Sequence, residues 1–396
     1  MISVADALAH ISALRPTAGT QTVALSEAMG RILAQPITAG LTQPPLAASA
    51  MDGYAVKLAD VSKSGAALHV IGEAPAGTPF TDQITTGQAV RIFTGGAIPK
   101  GTDTVIIQEN VTRAGETITV NEPQSEPRHI RKAGIDFTKG EILIPAGTRI
   151  GPAETLVAAA ANHAQVTVQK RLKVAILSNG DELCEVGDTP KAGQIISSNP
   201  HGLAALITAW GGEPHILPTA RDSIESIMSS LALASDADII VPVGGASVGD
   251  HDYMRAAFTE AGLEMVFEKI AVRPGKPTWC GAIGSQTVLG LPGNPASAIV
   301  CAHIFLQPLL QTVQPPAAAK LKNPLPKNGP RESYLRAVAS LDAQGQLWVE
   351  ALPKQDSGLM TPFLKANALL RIAAGQEAKA VGDTTQIIWL TEMQLS

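Results

Sequence analysis

Three short apolar runs constrain this chain more than any other feature: residues 174–177, 239–243 and 288–291, each ending abruptly in Gly, Asn or Pro. Runs of this length are buried-strand candidates. A helical pattern opening on acidic or small residues follows the first two and, after PGNP, the third. They predict an α/β sheet with its chemistry outside the strand ends, where helix N-termini present unpaired N–H groups to an anion. Residues 170–310 form that central unit, with helix signals at 202–210, 223–233, 252–261 and 296–310 and further short strands at 215–217 and 265–270. A mainly parallel, three-layer α/β/α domain is expected, spanning residues 170–313.

At 396 residues the chain is too long for one growing core, so two to four domains are expected. Residues 4–14 have helical spacing, and a second helix is expected from residue 26 or 27 to 33. LTQPPLAASAMDGYAV is neither long helix nor clean alternation, which suggests an ordered connector. From residue 52 to 136 short β-like runs at 68–71, 89–93, 104–108 and 117–120 alternate with glycine turns, a compact β domain. It is expected to be inserted into a discontinuous amino-terminal helical domain of residues 1–51 and 137–169. Residues 314–329 are proline- and lysine-rich and are expected to be a linker. Residues 330–396 then form a small carboxy-terminal β domain.

Charge and cysteine content exclude several classes. A formal net charge of -5 argues against a general nucleic-acid binder. Cys184, Cys280 and Cys301 lack ligand spacing, so reduced side chains are expected and a structural zinc site is not. No stretch approaches a membrane span, and the first residues lack a signal-peptide pattern. A soluble, cytoplasmic protein without membrane partners is expected.

The chemistry-bearing residues cluster after the apolar runs. Asp181-Glu182 either stabilises the first turn of a helix or meets a metal ion or substrate donor at the sheet rim. In GGASVGDHD, the glycines permit close backbone approach, and Ser247 with neighbouring N–H groups suits phosphate. Asp250 and Asp252 supply hard oxygen ligands suited to magnesium, although a tight loop with a helix cap explains the same residues. His251 is either a base or an exposed loop histidine. Lys269, Arg273 and Lys276, the last held between Gly275 and Pro277, form either an oxyanion contact or a solvated basic turn. Asn294 is expected to cap the helix beginning near Pro295. In the amino half, Asp52, Thr94 and Asp136 sit in turns and read equally as turn and capping residues.

MDGYA (51–55), RIFTGG (91–96), SNGDEL (178–183), GGASVGDHDY (244–253), PGKP (274–277) and LPGNP (291–295) together resemble the molybdopterin molybdenumtransferase family. The resemblance extends over essentially the whole chain, including residues 357–368. It implies an elongated homodimer of four-domain subunits that takes adenylylated molybdopterin and molybdate, inserts molybdenum at the dithiolene and releases AMP with magnesium. Carried onto this sequence, it implies Glu182, Asp252, Lys276, Asp52 and Asp136 as catalytic, and Glu182, Asp250 and Asp252 as metal ligands. Thr94, Gly180, Asp222, Gly245, Ser247, Lys269, Arg273, Pro292 and Pro295 are the expected ligand-binding set. Asp52, Thr94 and Asp136 are expected in a cleft contributed by the other subunit. A molybdopterin adenylyltransferase and apo-molybdoenzymes or their chaperones are the implied protein partners. The family often has Thr-Gly or Ser-Thr-Gly ahead of the acidic pair, where this chain has Ser178-Asn179-Gly180.

Two other classes compete. An adenylyltransferase or nucleotide hydrolase on the related central fold does not account for the long amino half and β tail. A catalytically silent scaffold does not account for Glu182, Asp250 and Asp252 beside phosphate-binding turns.

Overall fold

The computed structural model describes residues 1–244 and 253–390. They fall into two compact units, Thr20–Gln169 and Met1–Gly19 with Lys170–Ser396.

The first helix, Val4–Ala13, is closed at its start by a reciprocal box: Asp6 N–H donates to Ser3 Oγ (3.1 Å) and Ser3 N–H to Asp6 Oδ2 (3.3 Å). Val4, Ala7 and Ile11 form one buried face, packed in the same core as Val174, Ile176 and Phe305. Sequence order grouped this helix with residues 20–51, whereas it lies in the unit of the central sheet. Periodicity defines a helix's apolar face but not the surface that face meets.

That central sheet has six strands in the order Glu213–Ile216, Lys173–Ser178, Ile239–Val243, Gln286–Gly290, Trp279–Ile283, Glu264–Phe267. The first four run parallel, Trp279–Ile283 runs against them, and the edge strand Glu264–Phe267, antiparallel to Trp279–Ile283, returns to their direction. Alternate residues of the Lys173–Ser178 strand enter different cores. Val174 and Ile176 pack with Leu203, Ile207 and Phe305, while Ala175 and Leu177 pack with Ile227, Met254 and Phe258. Burial on both faces explains why the strand reads as an unbroken apolar run, and it makes the expected three layers. Helices Asn199–Ala209, Ile224–Ala232, Tyr253–Glu260 and Pro295–Cys301 supply the outer layers.

The remainder of this unit is a closed β ring. Glu332–Leu341 pairs with Leu347–Ala351, then Ala317–Leu321, Thr384–Trp389 and Ala368–Ile372, which returns to Glu332–Leu341. Ala317–Leu321 therefore makes a strand inside the proline- and lysine-rich stretch expected to be a linker, with Ala319 and Leu321 in the ring's core. Its two long-range partners, not its composition, decide its state. Val272–Arg273 joins the same ring in parallel beside Glu332 and Ser333.

In Thr20–Gln169, Thr20–Ala24 pairs antiparallel with Gln165–Gln169, and Ile37–Thr38 with Ile142–Ile144. The helix expected over 26–33 is only a 3-10 turn, Leu25–Glu27. Gly30 takes a left-handed φ of 75°, and Ile32 and Leu33 bridge to Arg149 and Val168. Between these pieces stands a six-stranded sheet whose order is Thr104–Ile107, Gly53–Val56, Gln88–Ile92, Ala67–Ala74, Thr117–Val120, Val111–Ala114. All four β-like runs expected from the sequence lie in it. Gly53–Val56 is buried at every residue, which is why the segment containing it shows no alternation.

Candidate functional site

Strand Lys173–Ser178 delivers Asn179, Gly180, Asp181 and Glu182 to the rim. Ala220 N–H donates to Ser178 O (2.8 Å) and Gly180 N–H to Ala220 O (3.2 Å), fixing the chain as it leaves the sheet. Gly180 has φ 149°, and a Cβ there would run into the Glu182 carboxylate, so glycine lets that side chain fold back over the turn. No helix follows. Leu183–Cys184 pairs in parallel with Ile195–Ile196, and the next helix begins at Asn199. The helix-capping alternative for Asp181-Glu182 therefore falls away.

Asn179 is buried. It donates through Nδ2 to Asp222 Oδ1 (2.7 Å), and Asp181 N–H approaches Asp222 Oδ2 (3.4 Å). Asp222, expected to bind ligand, thus holds the rim turn together. Asn179 Oδ1 is buried with no hydrogen-bond partner among the described residues. Asn179, Glu182, Gly244, Pro292 and Pro295 line a cavity of about 510 Å³. Gly245, Ser247, Asp250, His251 and Asp252 lie outside the described residues.

A second cavity, of about 650 Å³, lies between the central sheet and the β ring. Arg273, Lys276, Lys327 and Arg331 line it, with Asp356 the carboxylate among its described lining residues. Lys327 is paired with Glu377 (2.6 Å). The turn carrying Lys276 is rigid: Thr278 N–H donates to Gly275 O (3.0 Å), Ile270 N–H to Lys276 O (3.1 Å), and a Cβ on Gly275 would overlap Cys301 Sγ. Burial pushes the Cys301 and Cys280 thiols up to about 12, which makes these two unreactive, and all three cysteines are free of disulfides. Arg336 is 2% exposed and donates to the carbonyls of Leu359 (2.6 Å), Asp356 (2.9 Å) and Lys354 (3.2 Å), shaping the loop on the far wall.

The two cavities meet at Pro277, Pro292 and Asn294. Asn294 makes no side-chain cap on helix Pro295–Cys301; its Nδ2 donates instead to Ser357 Oγ (3.2 Å), while Ala296 N–H donates to Ser357 O (3.0 Å). The β ring thus supplies the partner that local sequence assigned to the helix. Lys269 lines neither cavity, and its carbonyl accepts from Ile2 N–H (3.1 Å). Sequence reasoning also passed over Lys327, Arg331 and Arg336, because no local motif marks a cation that reaches a cavity across a domain boundary.

In the other unit, Asp52 and Thr94 come together. Asp52 Oδ1 accepts from Thr94 N–H (2.7 Å) and Thr94 Oγ1 (2.9 Å), and these bonds hold its carboxyl below the usual carboxylate range. Arg91 stands nearby, 5.0 Å above the Tyr54 ring and 5.1 Å from that of Phe93. Asp136 belongs to a separate turn, its N–H donating to Gln43 O (3.1 Å).

Among the described residues no group of three or more His, Cys, Asp or Glu side chains could hold a metal ion. Glu182 is the described member of the expected magnesium set, and its hard carboxylate oxygens on a cavity wall fit that ion.

Residues 2–162 match the family described as "MoeA N-terminal region (domain I and II)", residues 175–312 the "Probable molybdopterin binding domain", and residues 318–390 the "MoeA C-terminal region (domain IV)". The chain is 35% identical over 378 residues to the molybdopterin molybdenumtransferase of Haemophilus influenzae, covering 93% of both. It is 33% identical over 387 residues to that of Nostoc sp., covering 94% of this chain and 89% of the relative. The molybdopterin biosynthesis MoeA protein of Pyrococcus horikoshii superposes with a TM-score of 0.84 at 28% identity, over 98% of this chain and 100% of that one. No helix among the described residues is long and apolar enough to cross a membrane. With matched relatives aligned over nearly its whole length and a fold shared to the same extent, the chain belongs to the molybdopterin molybdenumtransferase family.

Proposed function

We propose that the protein inserts molybdenum from molybdate into adenylylated molybdopterin and releases AMP. The observation that carries this is the junction at Pro277, Pro292 and Asn294 of a cationic cavity and a cavity lined by Glu182. Molybdate is a tetrahedral dianion. Arg273 can bind it with paired N–H donors while Lys276, on its rigid turn, adds a point charge. The phosphoanhydride of the nucleotide occupies the Glu182 cavity, beside Gly244 at the end of strand Ile239–Val243. Glu182, together with Asp250 and Asp252, would hold magnesium, which would supply charge neutralisation as the phosphoanhydride is cleaved. Asn179, held by Asp222, keeps Glu182 aimed into the cavity. Cleavage adds water across one P–O bond, leaving phosphate on the pterin side and AMP as the departing group.

The protein acts as a homodimer, with Asp52, Thr94 and Asp136 of one copy completing the site of the other. It works in the cytoplasm, between a molybdopterin adenylyltransferase and apo-molybdoenzymes or their chaperones. Purified protein given adenylylated molybdopterin, molybdate and magnesium should yield AMP and molybdenum cofactor, and omission of molybdate should suppress insertion. Failure of the unmodified protein to insert molybdenum into intact substrate rejects the activity. Mixing Asp52→Ala with Glu182→Ala protein under subunit exchange should restore part of the turnover. Confirmed exchange with no recovery rejects the shared site.

A further inference from the structure

Arg91 breaks the pattern of its own strand. Residues of Gln88–Ile92 alternate between the two cores of the inserted sheet, Ala89 in one and Val90 and Ile92 in the other. Arg91 stands where the Ala89 core would take its next apolar side chain. Its cross-strand partner is Tyr54, a buried member of that same core. A cation at a core-facing position is normally paired with a carboxylate. None of the ion pairs among the described residues includes Arg91. The guanidinium lies instead 5.0 Å from the centre of the Tyr54 ring and 5.1 Å from that of Phe93, contacts that offset part of its desolvation without cancelling its charge.

The Arg91 N–H groups grip the chain beside Asp52. Nη1 donates to Gly53 O (3.3 Å), one residue on from Asp52, and Nη2 donates to Gln108 Oε1 (2.6 Å). Gln108 N–H in turn donates to Asp52 O (3.3 Å). Thr94, three residues beyond Arg91, supplies both bonds to Asp52 Oδ1, and Oδ2 accepts none among the described residues. Oδ2 is thus the oxygen left to meet a substrate. A planar fork holds two acceptors at a fixed separation, which lysine cannot do. The charge acts as well: after the two Thr94 bonds, Arg91 is the positive group that helps keep the Asp52 carboxyl low.

In the proposed reaction Asp52 faces a nucleotide and molybdate, both anions, and such neighbours favour a protonated or withdrawn carboxyl. We propose that Arg91 is a positioning residue for the reaction: through Gly53 and Gln108 it braces the backbone that carries Asp52, and its charge stands behind the carboxylate as an anionic substrate approaches. The inference rests on the reading of Asp52 as part of the site, and it adds the residue that keeps Asp52 in place and charged there.

The test compares Arg91→Met, Arg91→Lys and Gln108→Ala in the full chain, each alone and combined with Asp52→Asn. AMP release from adenylylated molybdopterin is measured beside thermal unfolding and the pH titration of the Thr94 amide resonance. Arg91→Met should lower kcat at least about tenfold and leave the KM for molybdate within about twofold. It should also move the Thr94 midpoint upward, toward the ordinary carboxyl value of 3.8. Arg91→Lys, which keeps the charge without the fork, should restore the parent midpoint but only part of the turnover. In the Asp52→Asn background each substitution should change turnover by less than about twofold, because a residue that acts through Asp52 has nothing left to act on. A merely structural role would instead give losses that multiply. If Arg91→Met does not fold, Arg91→Lys and Gln108→Ala decide, Gln108→Ala being expected to lower kcat about threefold or more. Parent-like turnover in the folded Arg91 variants, or losses that multiply with Asp52→Asn, would overturn the inference while leaving Asp52 in the site. Parent-like turnover in Asp52→Asn alone would remove the reading of Asp52 and this inference with it.

Discussion

The rim of the central sheet and the Asp52 turn of the inserted domain both place a carboxylate beside glycine, yet they are held by different means. At the rim, Glu182 depends on a buried framework: Asn179 is 8% exposed and bonded to Asp222, and Gly180 occupies a backbone conformation that excludes a side chain. At the other, Asp52 is half-buried, and two bonds from Thr94 fix it with no buried polar partner beneath it. A buried polar framework ties geometry to stability, because each unpaired group there carries its full desolvation penalty. A carboxylate held only by a neighbouring turn can lose its role while the fold is untouched. Substitutions at the rim should therefore move activity and stability together, except at Glu182 itself, whereas those at Asp52 should move activity alone.

The largest effect is expected from Glu182→Gln, which preserves size and removes the charge. Turnover measured as AMP release should fall about 100-fold or more, with a thermal midpoint near that of the parent. Parent-like turnover across magnesium concentrations would remove Glu182 from the chemistry. Next comes Asp222→Ala, which strands the Asn179 amide. Chemical denaturation should show a loss of about 1–3 kcal/mol, and turnover should fall with it. If stability drops while turnover per folded molecule holds, the framework does not aim Glu182. Lys276→Gln is expected to raise the KM for molybdate about tenfold with little change in the KM for the pterin nucleotide, since it removes one point charge from the cationic cavity. Equal changes in both would mean that the two cavities do not divide the substrates.

The smallest effect on stability lies at Asp52. Its folded-state pKa is lowered, chiefly by the Thr94 N–H, so whatever the pair adds to stability is complete above the ordinary carboxyl value of 3.8 and is lost as pH falls through the lower folded value. The Thr94 amide resonance should therefore shift with a midpoint below 3.8. A midpoint at or above that value would show that the pair does not persist in solution. Asp52→Asn should leave thermal unfolding at pH 7 close to the parent's.

Much of the molecule was legible before any coordinates because its signals are local. Residues 174–177, 239–243 and 288–291 read as buried strands since each is covered on both faces or by neighbouring strands, and all three lie in the central sheet. The four β-like runs of the amino half were equally plain, and the ordered motifs carried the family. Gly53–Val56 was obscured by its own burial, which removes alternation, and the 26–33 segment misled because apolar spacing there serves bridges to Arg149 and Val168 in place of a helix. What local pattern cannot express is the identity of a distant partner.

The sequence by itself determined the strands, the turns that need glycine, the placement of Glu182, Arg273 and Lys276 at strand ends, and membership of the family. Only the tertiary structure decided that Val4–Ala13 packs on the central core, that Ala317–Leu321 is a strand, that Ser357 receives the Asn294 amide, and that Asp222 pairs with Asn179. The physical reason is the range of the interactions. Steric and hydrogen-bonding preferences of a turn or strand act within a few residues, while a cavity is assembled from segments more than 100 residues apart whose contact depends on the packing of every layer between them.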